Sequence, residues 1–189
     1  MNYCNVCLTT DLRPNAKFEG GTCIACLYGH KHNKISDKLF LQRLKSLRGY
    51  ITEHNRRTKY LKSRYDCIVG VSGGKDSTRQ AHWGRDRLGL RPLLISAAYP
   101  PKQMTQIGAK NLENLIRMGF DIETVCPAPV SAAKLSLRGF EIYGNVNKST
   151  EMALFATVPK IAIEKKIKFI FWGENPALQV GDAATLGEN

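Results

Sequence analysis

Long apolar runs, acidic side chains and late cysteines are what this 189-residue sequence has little of. No stretch of about 18 apolar residues occurs, which excludes a helical membrane span. The opening MNYCNVCLTTD has neither a basic segment nor an apolar one, so it does not read as a secretory signal. The expected location is therefore the cytoplasm, where thiols stay reduced and tend to act as ligands or catalysts. Aromatic residues make up 8% of the chain, and no aromatic-rich RNA-binding motif is interleaved with its charges. Two familiar phosphate-binding patterns are also missing. In the stretch CIVGVSGGKDS, Asp76 follows Gly74-Lys75 where a Walker A loop needs Ser or Thr, and Val69 stands where its first glycine should be. Gly70, Gly73 and Gly74 do not have the spacing of a G-x-G-x-x-G fingerprint.

What is present begins with positive charge. The formal net charge is +12. Residues 1–66 hold 13 Lys/Arg against 5 Asp/Glu, and Lys31 to Arg64 alone carries eleven basic and two acidic side chains. Such a stripe suits an anionic partner (RNA, a nucleotide sugar or an acidic protein), and it equally suits a solvated helix face. Charge alone does not separate these readings.

Three regions follow from composition and periodicity: residues 1–34, 35–65 and 66–189. The first holds the close cysteine pairs, with turns at Pro14 and Gly20-Gly21. The second has a helical pattern over 36–64. Ser36 is its N-cap, and Phe40, Leu44, Leu47 and Ile51 form one apolar stripe. The third alternates short apolar strands, Cys67–Val71, Pro92–Ala97, Asp121–Val125 and Lys168–Trp172, with helical stretches near 77–88, 103–118 and 149–165. Pro159 should kink or split the last helix. The alternation predicts an α/β fold: a Rossmann-like parallel sheet, its strands buried on both faces, with helices on both sides. Four strands followed by only 17 residues after Trp172 suggest a domain that is incomplete at its C-terminal end, and hence exposed apolar surface.

Cys4-x2-Cys7 and Cys23-x2-Cys26 are fifteen residues apart, a spacing that brings two pairs of thiolates onto one tetrahedral ion. With each pair on a tight turn, the set reads as a zinc-ribbon-like module with a structural site, for Zn2+ ahead of an iron–sulfur cluster. His30 and His32 are surplus to a four-thiolate set. Cys67 begins a buried strand, and Cys126 follows a strand end.

The strand–SGGKDS–helix stretch is a phosphate cradle in its chemistry. Loop N–H groups and a helix N-terminus converge on one anion. Gly73 and Gly74 allow positive φ and close approach. Ser72 and Ser77 offer hydroxyls, Lys75 a cation, and Asp76 a ligand for Mg2+ that bridges phosphate oxygens.

This loop resembles the PP-loop of the N-type ATP pyrophosphatases, which cleave ATP between the α- and β-phosphates. The resemblance implies ATP across the carboxyl ends of the strands, with adenine near Ser96 and Ala97. Two PP-loop subfamilies join early CxxC pairs to such a loop. The tRNA thiolases usually carry further cysteines beyond it, whereas only Cys126 follows Cys67 here. The chain is similar over essentially its full length to the N-acetyl sugar amidotransferases of surface-polysaccharide, lipopolysaccharide O-antigen and flagellar glycan biosynthesis. The similarity rests on YDCIVGVSGGKDS, KNLENLIRMGFD, YGNVNKSTEMALFATVP and FIFWGENPALQ. A further cysteine pair found near Gly144 in some of those enzymes is replaced here by Asn145-Val-Asn-Lys148.

The resemblance implies an ATP-dependent enzyme that turns the N-acetyl group of a sugar or sugar nucleotide into an acetamidine. Lys75, Asp76, Glu174 and Asn175 are its candidate catalytic residues, and Lys148 and Glu151 are weaker candidates. No glutaminase signature is present, so ammonia is expected from a separate glutaminase, with a channel-forming partner. A non-catalytic zinc-binding adaptor is the remaining alternative.

Overall fold

The computed structural model describes residues 1–13, 16–32, 35–57, 64–98 and 104–174. The chain divides into two compact units, one built on Met1–Ser46 and the other on Leu47–Gly173.

In the first unit, strands β1 (Phe18–Glu19) and β2 (Thr22–Cys23) pair antiparallel across Gly20-Gly21. Both glycines have positive φ, +55° and +77°, as a two-residue hairpin turn demands. Helix α1 (Ile24–His32) follows β2 without a break. Helix α2 (Asp37–Arg57) begins in this unit and from Leu47 onward belongs to the second; it starts where its cap was expected, with the Leu39 N–H donating to Ser36 Oγ at 3.3 Å. Residues 58–63 of the anticipated helix lie outside the described residues. Of the predicted stripe only Ile51 is buried; Phe40 and Leu47 remain exposed.

The second unit is a four-stranded parallel sheet in the order β5-β4-β3-β6, made of β3 (Cys67–Gly70), β4 (Pro92–Ala97), β5 (Asp121–Val125) and β6 (Ile170–Phe171). The chain moves outward from β3 to β4 to β5 and then crosses back to place β6 on the other side of β3. The strand order therefore reverses beside β3, the position at which open α/β sheets form a crevice at their carboxyl ends.

Alternation along β3 sends Ile68 to one face and Val69 to the other. Ile68, Leu93 and Ile95 pack with Val158, Ala162 and Ile167 from helix α6 (Lys148–Glu164) and the turn after it. Val69, Val71 and Leu94 pack with Ala81 of helix α3 (Lys75–His82), Leu115 of helix α4 (Gln106–Arg117) and Phe120. Both faces are thus covered, and β3 and β4 are buried as predicted. Burial on both faces does not extend to β5, where Asp121 and Thr124 are exposed, or to β6, which is half-buried. These two are the edge strands, and an edge strand has less covering it.

Two further departures concern helices. Helix α5 (Pro129–Tyr143) occupies a stretch for which no helix was predicted; Pro129 opens it, and Gly144, at φ +64°, closes it in the left-handed conformation. Helix α6 runs unbroken through Pro159 rather than splitting there. Proline removes one helical hydrogen bond, and burial of Val158 and Ala162 on the sheet offsets that loss.

Candidate functional site

The four cysteines of the first unit come together. Their Sγ atoms all lie within 4.8 Å of one another, and among the described residues no histidine joins the group. Cys4 and Cys7 sit on a turn closed by the Leu8 N–H to the Cys4 carbonyl at 3.1 Å. Leu8 takes positive φ, +61°, to make that turn. The second pair is placed differently from the tight turn expected: Cys23 ends β2 and Cys26 lies in the first turn of α1.

The thiols titrate unequally. The Cys23 N–H donates to Cys4 Sγ at 3.2 Å and holds that thiol down at about 6. The Thr9 hydroxyl, 3.1 Å from Cys7 Sγ, lowers Cys7 as well. Burial raises Cys23 and pushes Cys26 up to about 12, with the neighbouring thiolates adding to the effect. Four clustered sulfurs that repel one another's negative charge are a donor set suited to a soft, tetrahedral cation, and zinc fits it.

In the second unit, the loop from Ser72 to Ser77 leaves the carboxyl end of β3 at the reversal of strand order. Gly73 has φ +78°, and a Cβ on it would lie 2.8 Å from the Asn111 Cβ of α4. Two glycine properties are therefore used at one position: left-handed backbone and close approach. The loop also ties itself together. The Ser72 N–H donates to Ser77 Oγ at 3.4 Å, the Ser77 hydroxyl donates to the Gly74 carbonyl at 3.2 Å, and the Gly74 N–H donates to Ser72 Oγ at 3.4 Å. Ser77 is buried and serves the loop's own geometry, whereas Ser72, Lys75 and Asp76 are exposed. Gly74 is the N-cap of α3 and no side chain caps the helix. The first N–H groups of α3 are thus left for an anion.

Beside the loop is a cavity of about 760 Å³. Ser72 lines it from the loop, Ser96 and Ala97 from the end of β4, and Thr105 and Gly108 from the start of α4. The predicted pair Ser96 and Ala97 thus shares a cavity with Ser72. The opposite wall, from α5 and the first turns of α6, was not foreseen; Ser136, Asn147, Ser149 and Thr150 belong to it. Pro129 and Gly144, fifteen residues apart, were the available signal for α5.

Lys148 and Glu151, the weaker candidates, do not line the cavity. The Lys148 Cβ packs instead at Gly139 of α5, where a glycine Cβ would lie 3.6 Å from it. Glu174 is exposed, three residues beyond β6, and Asn175 lies outside the described residues. Cys67 is fully buried, with its thiol pushed up to about 12 by burial, which leaves it inert. Cys126 is exposed, and its thiol donates to the Pro127 carbonyl at 3.6 Å. Among the described residues no helix is long and apolar enough to cross a membrane.

No protein-family model and no curated protein matches the chain. Among solved structures it is similar to NMN synthetase from Francisella tularensis, at 16% identity and a TM-score of 0.48 over 76% of this chain and 57% of that one. It is also similar to a predicted subunit of tRNA methyltransferase from Methanocaldococcus jannaschii, at 18% identity and a TM-score of 0.42 over 60% of this chain and 55% of that one. The chain spans little more than half the length of either structure.

Proposed function

We propose that this chain is an ATP-using, AMP- and pyrophosphate-forming amidotransferase of the PP-loop type, acting on the N-acetyl group of a sugar or sugar nucleotide. The observation that carries the nucleotide part is the uncapped N-terminus of α3 behind the Ser72–Ser77 loop, opening beside a cavity that Ser96 and Ala97 also line. The sugar part rests on the resemblance carried by YGNVNKSTEMALFATVP and FIFWGENPALQ. The thiolase reading is disfavoured because the residues between the loop and Asn189 hold Cys126 as their single cysteine and hence no further CxxC pair.

The chemistry follows from what an amide lacks. Its oxygen is a poor leaving group, so ammonia cannot displace it unaided. Attack of the amide oxygen on the α-phosphorus forms one P–O bond and breaks the bond to the β-phosphate, releasing pyrophosphate. Ammonia then adds to the activated carbon, a proton is lost, and AMP departs with the former amide oxygen. The product is an acetamidine. Lys75 and the first N–H groups of α3 stabilise the charge that develops on the departing pyrophosphate. Asp76 is the residue that would hold Mg2+, which supplies charge neutralisation between phosphates. Ammonia comes from a separate glutaminase, with the cysteine module and the basic α2 as its docking surface. A surface-polysaccharide or flagellar glycan precursor is the acceptor in this reading.

The test follows the oxygen. With substrate labelled by 18O in the acetamido group, the label should appear in AMP and the sugar should gain C=NH in place of C=O. AMP without label, or sulfur transferred into tRNA, would overturn the assignment.

A further inference from the structure

The cavity beside the loop has two unlike walls. One is the loop, the β4 end and the start of α4, where the nucleotide is proposed to lie. The other is α5 with the first turns of α6. Here small or hydroxylic side chains, among them Ala132, Ser136, Ser149 and Ala153, stand beside the apolar Leu135 and Leu154, and every one of them is uncharged. Ser136 Oγ and Ser149 Oγ stand 3.4 Å apart, joining the two helices at the cavity surface. Gly139 lets the helices approach, since a Cβ there would lie 3.2 Å from the Asn145 carbonyl.

Charge is what this wall lacks. Among the described residues, none of those lining the cavity is Lys, Arg, His, Asp or Glu. Lys148, in the first turn of α6, is not among the lining residues, and its Cβ lies against Gly139 of α5. Placing a diphosphate or carboxylate against the α5–α6 wall, away from the free N–H groups of α3 and from Lys75, leaves the charge uncompensated, and that is strongly unfavourable. A small amide has the opposite profile. Its methyl matches the alanines, its carbonyl accepts from hydroxyls, and its N–H donates to them. The volume, about 760 Å³, lies toward the upper end of the range for small-molecule sites, which leaves room beyond a nucleoside.

We infer that the α5–α6 wall is the acceptor subsite, that it takes the acetamido end of the substrate, and that every anionic group of that substrate stays at the mouth. This rests on the ATP-dependent reading above and adds an orientation to it. The acetamido oxygen then enters first, and a sugar-linked diphosphate trails outward. Specificity is for an uncharged N-acyl group, with Ser136, Ser149 and Ala153 deciding what fits.

The experiment is saturation-transfer NMR on the full chain, loaded with Mg2+ and α,β-methylene-ATP, which cannot be cleaved between its first two phosphates. The probes are the methyl glycoside of N-acetylglucosamine and its uridine diphosphate form. The expected result is strongest transfer to the acetyl methyl protons in both, with the weakest on uracil. Ala153→Trp should abolish that transfer while affinity for α,β-methylene-ATP changes less than threefold, which also reports that the variant is folded. Ser149→Ala should weaken the glycoside about three- to tenfold. Strongest transfer to uracil overturns the inference, as does acetyl transfer that survives Ala153→Trp. Binding of α,β-methylene-ATP with no transfer to either probe overturns the inference alone. Failure of α,β-methylene-ATP to bind wild-type protein overturns the ATP reading and this inference with it.

Discussion

Gly73 and Asn111 stand so close that a Cβ on Gly73 would lie 2.8 Å from the Asn111 Cβ and 3.2 Å from its carbonyl carbon. The phosphate-type loop is therefore seated directly on α4, and its shape depends on that contact as much as on its own hydrogen bonds.

Gly73→Ala should disturb this seat in two ways. Left-handed backbone costs an alanine about 1–2 kcal/mol, and the added methyl must displace either the loop or α4. We expect a lower thermal midpoint together with at least tenfold weaker binding of α,β-methylene-ATP by calorimetry. A variant with wild-type affinity would show that the loop does not bind the nucleotide.

Asp76→Asn separates chemistry from folding. A carboxylate in the first turn of α3 gains only about 0.3–1 kcal/mol from the helix dipole, so the thermal midpoint should move little. Pyrophosphate release should fall by about 10²–10³, the usual loss when one charge-stabilising contact is removed. Release near the wild-type rate in a folded variant would exclude a metal role for this side chain.

Removal of one sulfur from the cysteine cluster should unfold its surroundings. A structural zinc site contributes about 10–16 kcal/mol of apparent binding energy. Cys23→Ser should therefore lose bound metal and greatly accelerate amide exchange in residues 1–32. Elemental analysis of the wild-type protein should give one zinc per chain. Absence of both zinc and iron would refute the site.

Acid stability should depend on Asp66. Its Oδ2 accepts from the Arg91 N–H at 2.8 Å and from Arg91 Nε at 3.0 Å; its Oδ1 accepts from Asn55 Nδ2 at 3.0 Å. Burial alone would raise this carboxyl, but the guanidinium and backbone N–H of Arg91 outweigh it and the net shift is downward. A depressed folded value stabilises the protein at pH above the unfolded value, about 3.9, and that contribution is lost as pH falls through the folded one. Asp66→Asn should cost about 1–3 kcal/mol at neutral pH and flatten the fall in stability below about pH 4. An unchanged acid limb in urea titrations would remove the pair from the account.

Much of this protein is local in origin and was legible without a fold. The strands Cys67–Val71 and Pro92–Ala97 are short runs of branched apolar residues, and they form the centre of the sheet. Ser36 caps α2 because a hydroxyl before a helical pattern has an unsatisfied N–H to accept from. The spacing of Cys4, Cys7, Cys23 and Cys26 was enough to predict that their sulfurs would meet. In the same way, the order strand–SGGKDS–helix placed a glycine turn at a helix N-terminus.

What tertiary structure alone decided is what covers these parts. Edge position was invisible in Asp121–Val125, because nothing within a strand says whether one neighbour or two will pair with it. Pro159 reads locally as a break, yet burial of Val158 and Ala162 on β3 and β4 keeps α6 continuous. The second wall of the cavity arises only when Gly139 lets α5 lie against α6, bringing Ser136 within 3.4 Å of Ser149 across thirteen positions of sequence. The residues fixed by sequence are those whose role is set by bonds to near neighbours. The α5–α6 wall of the cavity is set by packing between distant segments, so it could be seen only once the chain was folded.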